Sequence, residues 1–243
     1  MRILISQKAP ANLNAYKALE DKYGATLEFH PFFLIEPVSA REFRSQRINL
    51  PDYTAIVFSS RHAIDAYFKL CEEMRFKVPE TMKYFCTTEL VALYLQKHVV
   101  YRKRKIFFGD GTPQSVVALI GPKHKGEKFL ITTSAESENP PVAALFETAG
   151  LDYTVSVMVK SVTQDLSAVK PEDYEAIVLY NAFDLKSLKA SFPAFDLGKV
   201  ALISYGRGIA AALKKDGLTP AVEGPTPDIP SAAKALDVYL SKN

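Results

Sequence analysis

Short apolar segments of strand length alternate along the chain with segments whose apolar residues recur at helical spacing. The first apolar segment is RILIS at 2–6, and residues 12–23 then keep the helical spacing up to Gly24, a residue typical of helix C-terminal caps. The later strand-like segments read TLEFHPFFLI, TAIVFSS, YFCTT, FLITTS, YTVSVMV, EAIVLYN and ALISYG. Helical patterns, for example at about 61–74 and 89–96, separate most of them. This alternation predicts parallel sheets covered by helices on both faces, so the expected fold class is α/β.

Part of this pattern occurs twice. Residues 53–68 read YTAIVFSSRHAIDAYF and residues 174–189 read YEAIVLYNAFDLKSLK, so both have Tyr, then Ala-Ile-Val, then a polar pair before a helix. The opening segment, which ends at Gly24, likewise corresponds to KFLIT at 128–132 followed by a helix and Gly150. The order is A–B–A′–B′, where A opens the chain, B holds 53–68, A′ starts at 128 and B′ holds 174–189. Two generic strand–helix units would resemble each other by chance in the same way.

Two polar, charged stretches are the expected joints between these segments. They are 37–49, between A and B, and 163–173, between A′ and B′. Joints at these positions suit domains that exchange segments and are connected by two strands. Contiguous halves fit the same pattern, so the repeat alone leaves the pairing of the segments open.

Composition narrows the class of protein. The 243 residues suffice for two domains, and 48% hydrophobic with 23% charged residues is ordinary for a globular protein. A net charge of +3 does not indicate nucleic acid as a partner. We find no apolar run long enough for a bilayer and no signal-peptide pattern at the start. The two cysteines, Cys71 and Cys86, have no CxxC spacing, and we expect a reducing cytoplasm.

Motifs for familiar cofactor and metal chemistry are missing. The chain has no GxGxxG after its first strand, no GxxxxGK[ST], no HExxH and no GxSxG. None of the four histidines has a second ligand at metal spacing. The densest charge run is RKRK at 102–105, which is either a solvated loop or a rim that attracts anions.

Polar residues follow several predicted strands where a helix begins. They are Ser59-Ser60, Thr87-Thr88, Thr132-Thr133-Ser134, Asn181 and Gly206. In open parallel sheets ligands bind at the carboxyl ends of the strands, and helix N-termini there suit carboxylates or phosphates. Each residue taken alone is also explained as a simple helix cap. Several such helix starts in one cleft would suit a ligand with many carboxylates.

Four segments together resemble the uroporphyrinogen-III synthase family. They are IVFSSRHAIDAYF at 56–68, YFCTTELVALYLQK at 84–97, FLITTSAESENPPVAALFETAG at 129–150, and the tail from ALISYG at 201 to AAKAL at 236, which contains a Gly-Leu and the tripeptide PTP. With the A–B–A′–B′ order, the resemblance spans nearly the whole chain. The match is collective, because no single motif of the family is sharp.

The resemblance implies two flavodoxin-like parallel-sheet domains, 1–36 plus 165–243 and 37–164, joined by a two-stranded linker with a cleft between them. The cleft would take hydroxymethylbilane, a linear tetrapyrrole with eight carboxylates. The enzyme, a lyase of tetrapyrrole and heme biosynthesis, would close it to uroporphyrinogen III with inversion of ring D and loss of water. It would use no metal and no organic cofactor, and it would act as a cytoplasmic monomer without nucleic acid or membrane partners.

By the same resemblance, eight residues are expected to bind the acetate and propionate groups of the substrate. They are Ser59, Ser60, Thr88, Ser134, Asn181, Gly206, Arg207 and Gly208. They would use backbone N–H, hydroxyl, amide or guanidinium groups. The resemblance assigns no catalytic acid in this chain.

The chain departs from the family pattern at several positions, among them the turn at 206–209 and the strand end at 180–183. The family's Tyr-Arg-Thr stretch, whose tyrosine is its favoured acid, aligns with Val-Lys-Ser here, so that Val159 replaces the phenol. A threonine before alanine at two cleft-facing helices is replaced by Val91 and Ile209. These departures leave two alternatives to an active synthase: a catalytically impaired tetrapyrrole-binding protein on the same fold, and a two-domain small-ligand sensor or interaction module. Basic groups at the ligand site would favour the tetrapyrrole over a neutral ligand.

Overall fold

The computed structural model describes residues 1–137 and 139–243, except for the side chain of residue 207. The chain divides into two compact units, unit 1 (Met1–Leu34 and Val162–Asn243) and unit 2 (Ile35–Ser161). The domains expected from the sequence have boundaries two or three residues away, at 36/37 and 164/165. That each unit is a folding domain stays a proposal.

Each unit is built from one sheet and the helices that cover it. The strands in chain order are β1 (Arg2–Ile5), β2 (Thr26–Phe29), β3 (Phe33–Pro37), β4 (Ala55–Phe58), β5 (Lys83–Cys86), β6 (Ile106–Phe108), β7 (Lys128–Ser134), β8 (Asp152–Thr163), β9 (Ala176–Leu179), β10 (Ala201–Tyr205) and β11 (Val222–Gly224). The helices are α1 (Asn14–Tyr23), α2 (Ala40–Ser45), α3 (Arg61–Glu73), α4 (Glu89–Tyr94), α5 (Pro113–His124), α6 (Pro141–Thr148), α7 (Ala182–Ser191), α8 (Arg207–Lys215) and α9 (Ala232–Leu240).

The two sheets share one strand order. In unit 1 the order is β2-β1-β9-β10-β11, with every adjacent pair parallel. In unit 2 the order β8-β7-β4-β5-β6 is also parallel, and β3 is added beside β8. Unit 1 follows the 2-1-3-4-5 arrangement of flavodoxin-like sheets, and unit 2 gives the same arrangement when β7 and β8 are counted first, because A′ follows B in the chain. Segment A therefore forms its sheet with B′, and A′ forms its sheet with B, which confirms the α/β fold class with two flavodoxin-like sheets.

The repeated Ala-Ile-Val segments are central strands, and this position explains their composition. All four residues of β4 and all four of β9 are buried. Alternate residues of β4 enter different cores: Ile56 and Phe58 pack on the α3 side, whereas Ala55 and Val57 pack on the side of α5 and α6. A strand covered on both faces has no polar face, because successive side chains point to opposite sides of the sheet.

The side chain of Gln46 substitutes for a neighbouring strand next to β8. Its amide Nε2 donates to the carbonyl of Val157 at 2.8 Å, and its Oε1 accepts from the N–H of Val157 at 2.9 Å. One residue on, the N–H of Val38 donates to the carbonyl of Met158 at 2.9 Å. These contacts satisfy backbone groups of β8 beyond the end of β3.

The sequence pattern did not predict three short elements. Helix α2 lies inside the stretch expected as a joint, where Ser39 and Glu42 form a reciprocal capping box. Strands β6 and β11 are three residues each, too short to show a period of two. Within the residues that the structure describes, no helix is long and apolar enough to cross a membrane.

Gln46→Leu is expected to lower the free energy of unfolding by about 1–3 kcal/mol, because it leaves a partly buried N–H and carbonyl of Val157 without partners. Urea unfolding of the full chain measures this. Gln114→Leu is the matched control, since Gln114 is exposed on α5, and it should change the value by less than about 0.5 kcal/mol. Equal effects of the two substitutions would contradict the role given to Gln46.

Candidate functional site

Polar residues at the carboxyl ends of β4, β5 and β7 line a pocket of about 350 Å³ in unit 2, which we call the strand-end pocket. Three residues expected from the sequence meet here: Ser59, Ser60 and Ser134. Thr87, which follows β5, also lines the pocket, and its hydroxyl donates to the carbonyl of Ser59 at 3.4 Å. The side chains converge because β4 lies between β5 and β7, so that their carboxyl ends share one edge of the sheet.

Ser60 places the start of α3 at this pocket. Its Oγ accepts the N–H of Ala63 at 3.1 Å and caps the helix. The other N–H groups of the first helical turn have no partner inside the helix, and together with the helix dipole they attract anions. α3 has 13 residues, so the aligned dipoles of several helical turns contribute to the positive partial charge at its N-terminus. Ser60 therefore has two consequences: it stabilises the start of α3, and it places the N-terminus of that helix, which attracts anions, at the pocket.

A β-bulge brings Val159 next to Ser134. Thr133 pairs with Val157, but Ser134 pairs with Val159, so Met158 is the extra residue on β8. The N–H of Ala135 then donates to the carbonyl of Val159 at 2.9 Å. Val159 is 5% exposed and lines the strand-end pocket. An apolar side chain thus occupies this part of the pocket wall.

Among the described residues, Glu136 is the one carboxylate that lines the same pocket. Glu136 Oε1 accepts the N–H of Ser161 at 2.6 Å. Burial alone would raise the pKa of Glu136, but this N–H and the hydroxyl of Ser134 hold the pKa below its ordinary value. Among the described residues that line the pocket, none is a lysine, arginine or histidine. The attraction for an anion therefore comes from N–H groups, and the ionised Glu136 opposes it.

Thr88 does not join this pocket. Its Oγ1 accepts the N–H of Val91 at 3.3 Å and caps α4, a helix of six residues. It lines a separate open hollow with Phe108, Gly109 and Ser115. Thr87 and Thr88 are adjacent, and only the position of the strand end decides which of them faces the strand-end pocket.

In unit 1, Asn181 and Gly206 lie at the ends of the adjacent strands β9 and β10. Asn181 caps α7, and its Oδ1 accepts the N–H of Phe183 at 2.7 Å. A Cβ at Gly206 would lie 2.4 Å from the carbonyl oxygen of Tyr180, so only glycine permits α8 to start this close to β9. Gly208 is exposed with open space around it. The side chain of Arg207 lies outside the described residues.

Buried polar groups gather at the same strand ends, and sequence reasoning missed them. Ser6, Asp184 and Ser204 are at most 3% exposed. Asp184 Oδ2 accepts the N–H groups of Tyr180 at 2.8 Å and of Asn181 at 3.1 Å. Ser6 Oγ, Ser204 Oγ and Asp184 Oδ1 have no hydrogen-bond partner among the described residues. The spacing of Asn181 and Asp184, a cap followed three residues later by an acid, was the available signal.

Burial raises the pKa of Asp184, although the N–H groups of Tyr180 and Asn181 oppose the shift. Within the described ranges, no three His, Cys, Asp or Glu side chains are grouped to hold a metal ion. In each unit the strand ends therefore present hydroxyls, backbone N–H groups and capped helix starts, beside one carboxylate described above, Glu136 in unit 2 and Asp184 in unit 1.

A protein-family model described as uroporphyrinogen-III synthase HemD matches residues 14–234. Among solved structures, uroporphyrinogen-III synthetase from Helicobacter pylori is similar with a TM-score of 0.64 and 17% identity over 100% of both chains. A mutant uroporphyrinogen III synthase from Thermus thermophilus is similar with a TM-score of 0.56 and 17% identity, again over 100% of both chains. No curated protein sequence matches the chain. At this identity the solved structures support the fold alone.

Asp184→Asn is expected to change how stability depends on pH. The raised pKa means that folded Asp184 holds its proton at a higher pH than unfolded Asp184 does, so its contribution to stability falls as the pH rises above about 4. The asparagine removes this loss and keeps an acceptor for the N–H groups of Tyr180 and Asn181. Urea unfolding from pH 4 to 7 should show the variant gaining stability relative to the wild type. A constant difference across this range would contradict the shift.

Proposed function

The chain belongs to the uroporphyrinogen-III synthase family, and we propose that it converts hydroxymethylbilane to uroporphyrinogen III in tetrapyrrole biosynthesis. The observation that carries the proposal is the convergence of Ser59, Ser60 and Ser134 on one strand-end pocket. The reaction would remove the terminal hydroxyl as water, invert ring D and close the macrocycle. It needs a proton for the leaving hydroxyl and a chain held so that its ends meet.

Binding would use the helix starts. In unit 2, an acetate or propionate group would lie against the N–H groups at the start of α3, beside Ser59, Ser60 and Ser134. The ionised Glu136 limits this pocket to few carboxylates, because like charges repel. In unit 1, Asn181, Gly206, Arg207 and Gly208 would bind further carboxylates at the starts of α7 and α8. The predicted binding role of Thr88 remains a prediction, because Thr88 lies with neither the unit 2 residues nor the unit 1 residues named here.

We further propose that the protein acts as a cofactor-free monomer in the cytoplasm. Cys71 and Cys86 are buried and unpaired. Burial raises their pKa values, to about 11 for Cys71 and about 12 for Cys86. Unpaired thiols suit a reducing compartment, and buried thiols with raised pKa values are poor nucleophiles.

A tetrapyrrole-binding protein without turnover is the second candidate. Three observations favour it: Val159 is buried in the pocket wall, and Val91 and Ile209 lie inside the hydrophobic cores. None of them donates a side-chain hydrogen bond. The lack of basic side chains among the described lining residues of the strand-end pocket favours the third candidate, a sensor of a less charged ligand.

A coupled assay tests the first candidate. Hydroxymethylbilane is generated in situ, the full chain is added, and the products are oxidised and resolved as type I and type III uroporphyrin. The proposal expects a type III fraction that grows with protein concentration. Type I alone, from protein shown to be folded by circular dichroism, would overturn it. Tight porphyrin binding without turnover would then support the second candidate.

Ser60→Ala is expected to raise KM for hydroxymethylbilane several-fold, because it loosens the start of α3 at the proposed carboxylate site. It should also cost about 1 kcal/mol of stability through the lost cap. Ser231→Ala is the matched control, since Ser231 caps α9 by accepting the N–H of Lys234 at 3.1 Å. It should cost similar stability and leave KM unchanged. A parallel rise of KM in both variants would show a stability effect only.

A further inference from the structure

A second cavity, of about 480 Å³, opens in unit 2 at the amino ends of β5 and β6. We call it the strand-start cavity. Its volume falls within the range of small-molecule sites, about 300–1,000 Å³. Phe68, Phe76, Val78, Met82 and Ile106 form its apolar wall. This wall would exclude water from the body of an apolar ligand.

Charged side chains form the rest of the lining. Lys97, Arg102 and Lys105 contribute cations, and Glu72 and Glu80 contribute carboxylates. Lys105 Nζ donates to the backbone carbonyl of Glu80. Lys97 Nζ lies 4.3 Å from the centre of the Tyr94 ring and 3.1 Å from its hydroxyl. Among the described residues, none forms an ion pair with Arg102.

One side of the strand-start cavity is a fixed flat surface. The imidazole of His98 stacks on Phe68 with ring centroids 4.5 Å apart and an angle of 4° between the planes. His98 Nε2 lies 2.8 Å from Asp65 Oδ1, and the Tyr94 hydroxyl donates to Asp65 Oδ2 at 2.7 Å. Asp65 thus contacts the ring directly and is itself held by the Tyr94 hydroxyl, so this wall is ordered before a ligand arrives.

Helix dipoles would not hold an anion at this edge, although they do favour the cationic side chains found there. Helices end at the amino edge of a parallel sheet, and their C-termini carry negative partial charge, which repels anions. An anion here must be held by side chains. The RKRK run at 102–105 supplies two of them, Arg102 and Lys105, to the cavity lining.

We propose that the strand-start cavity binds a small molecule with an apolar body and one carboxylate. The apolar body lies against Met82 and Phe68, and the carboxylate accepts two hydrogen bonds from the guanidinium of Arg102. This site is independent of the proposed substrate site, which lies at the opposite ends of the strands of unit 2.

Octanoate titrated into the full chain, labelled with ¹³C at the methionine methyl groups, tests the proposal. The chain has four methionines: Met1, Met74, Met82 and Met158. The Met82 signal, assigned with Met82→Leu, should shift in a saturable way. The Met158 signal should stay in place, because Met158 is fully buried and does not line the cavity. A Met82 signal that does not move, or that moves equally with Met158, would overturn the proposal.

Arg102→Gln should weaken octanoate binding about fivefold, since it removes the cation that faces the carboxylate. Arg104→Gln is the matched control: the same charge is removed from the same run, but Arg104 does not line the cavity. Both residues are exposed, so both variants should fold as the wild type does. Octanol should bind the wild type about fivefold more weakly than octanoate and should bind both variants alike. Equal losses in the two variants, or equal binding of octanol and octanoate, would refute the role of Arg102.

Discussion

A parallel sheet requires a helix after almost every strand, and the rest of this structure depends on that constraint. The chain must return across the sheet before the next parallel strand can pair, and the returning helices bury both faces. All carboxyl ends of the strands then share one edge, and helices begin there. Ser60 and Asn181 each cap a helix at such an edge, and Gly206 lets α8 begin against β9. A ligand site at this edge uses positions that the fold already requires to be polar or small.

The same constraint explains which features could be predicted from the sequence. The Ala-Ile-Val segments are apolar at every position, which indicates strands covered on both faces. The sequence placed Ser59, Ser60 and Ser134 at strand ends, but their convergence depends on β4 and β7 being neighbours. The pairing of A with B′ did not follow from the repeat, because contiguous halves would show the same repeat. Strand order is a long-range property, and only the family resemblance indicated it.

Other features could not be predicted, because they depend on local geometry that sequence patterns do not encode. The bulge at Met158 moves Val159 beside Ser134, and nothing in the run YTVSVMV marks where the extra residue falls. The choice between Thr87 and Thr88 depends on the residue at which β5 ends. Acidic residues usually lie on the surface, but Asp184 is fully buried. Two backbone N–H groups at the start of α7 donate to its side chain and make this burial possible.

Unit 2 places its two kinds of anion-attracting group at opposite edges of one sheet. At the carboxyl edge the N–H groups at the start of α3 supply the attraction, and the described lining of the strand-end pocket has no basic side chain. At the amino edge the helix dipoles are unfavourable, and Lys97, Arg102 and Lys105 supply it instead. Backbone N–H groups do not depend on side-chain identity, so the attraction at the carboxyl edge does not depend on which side chains lie there. A single substitution can remove a side-chain cation. The attraction for anions at the amino edge is therefore more sensitive to changes in sequence than the attraction at the carboxyl edge.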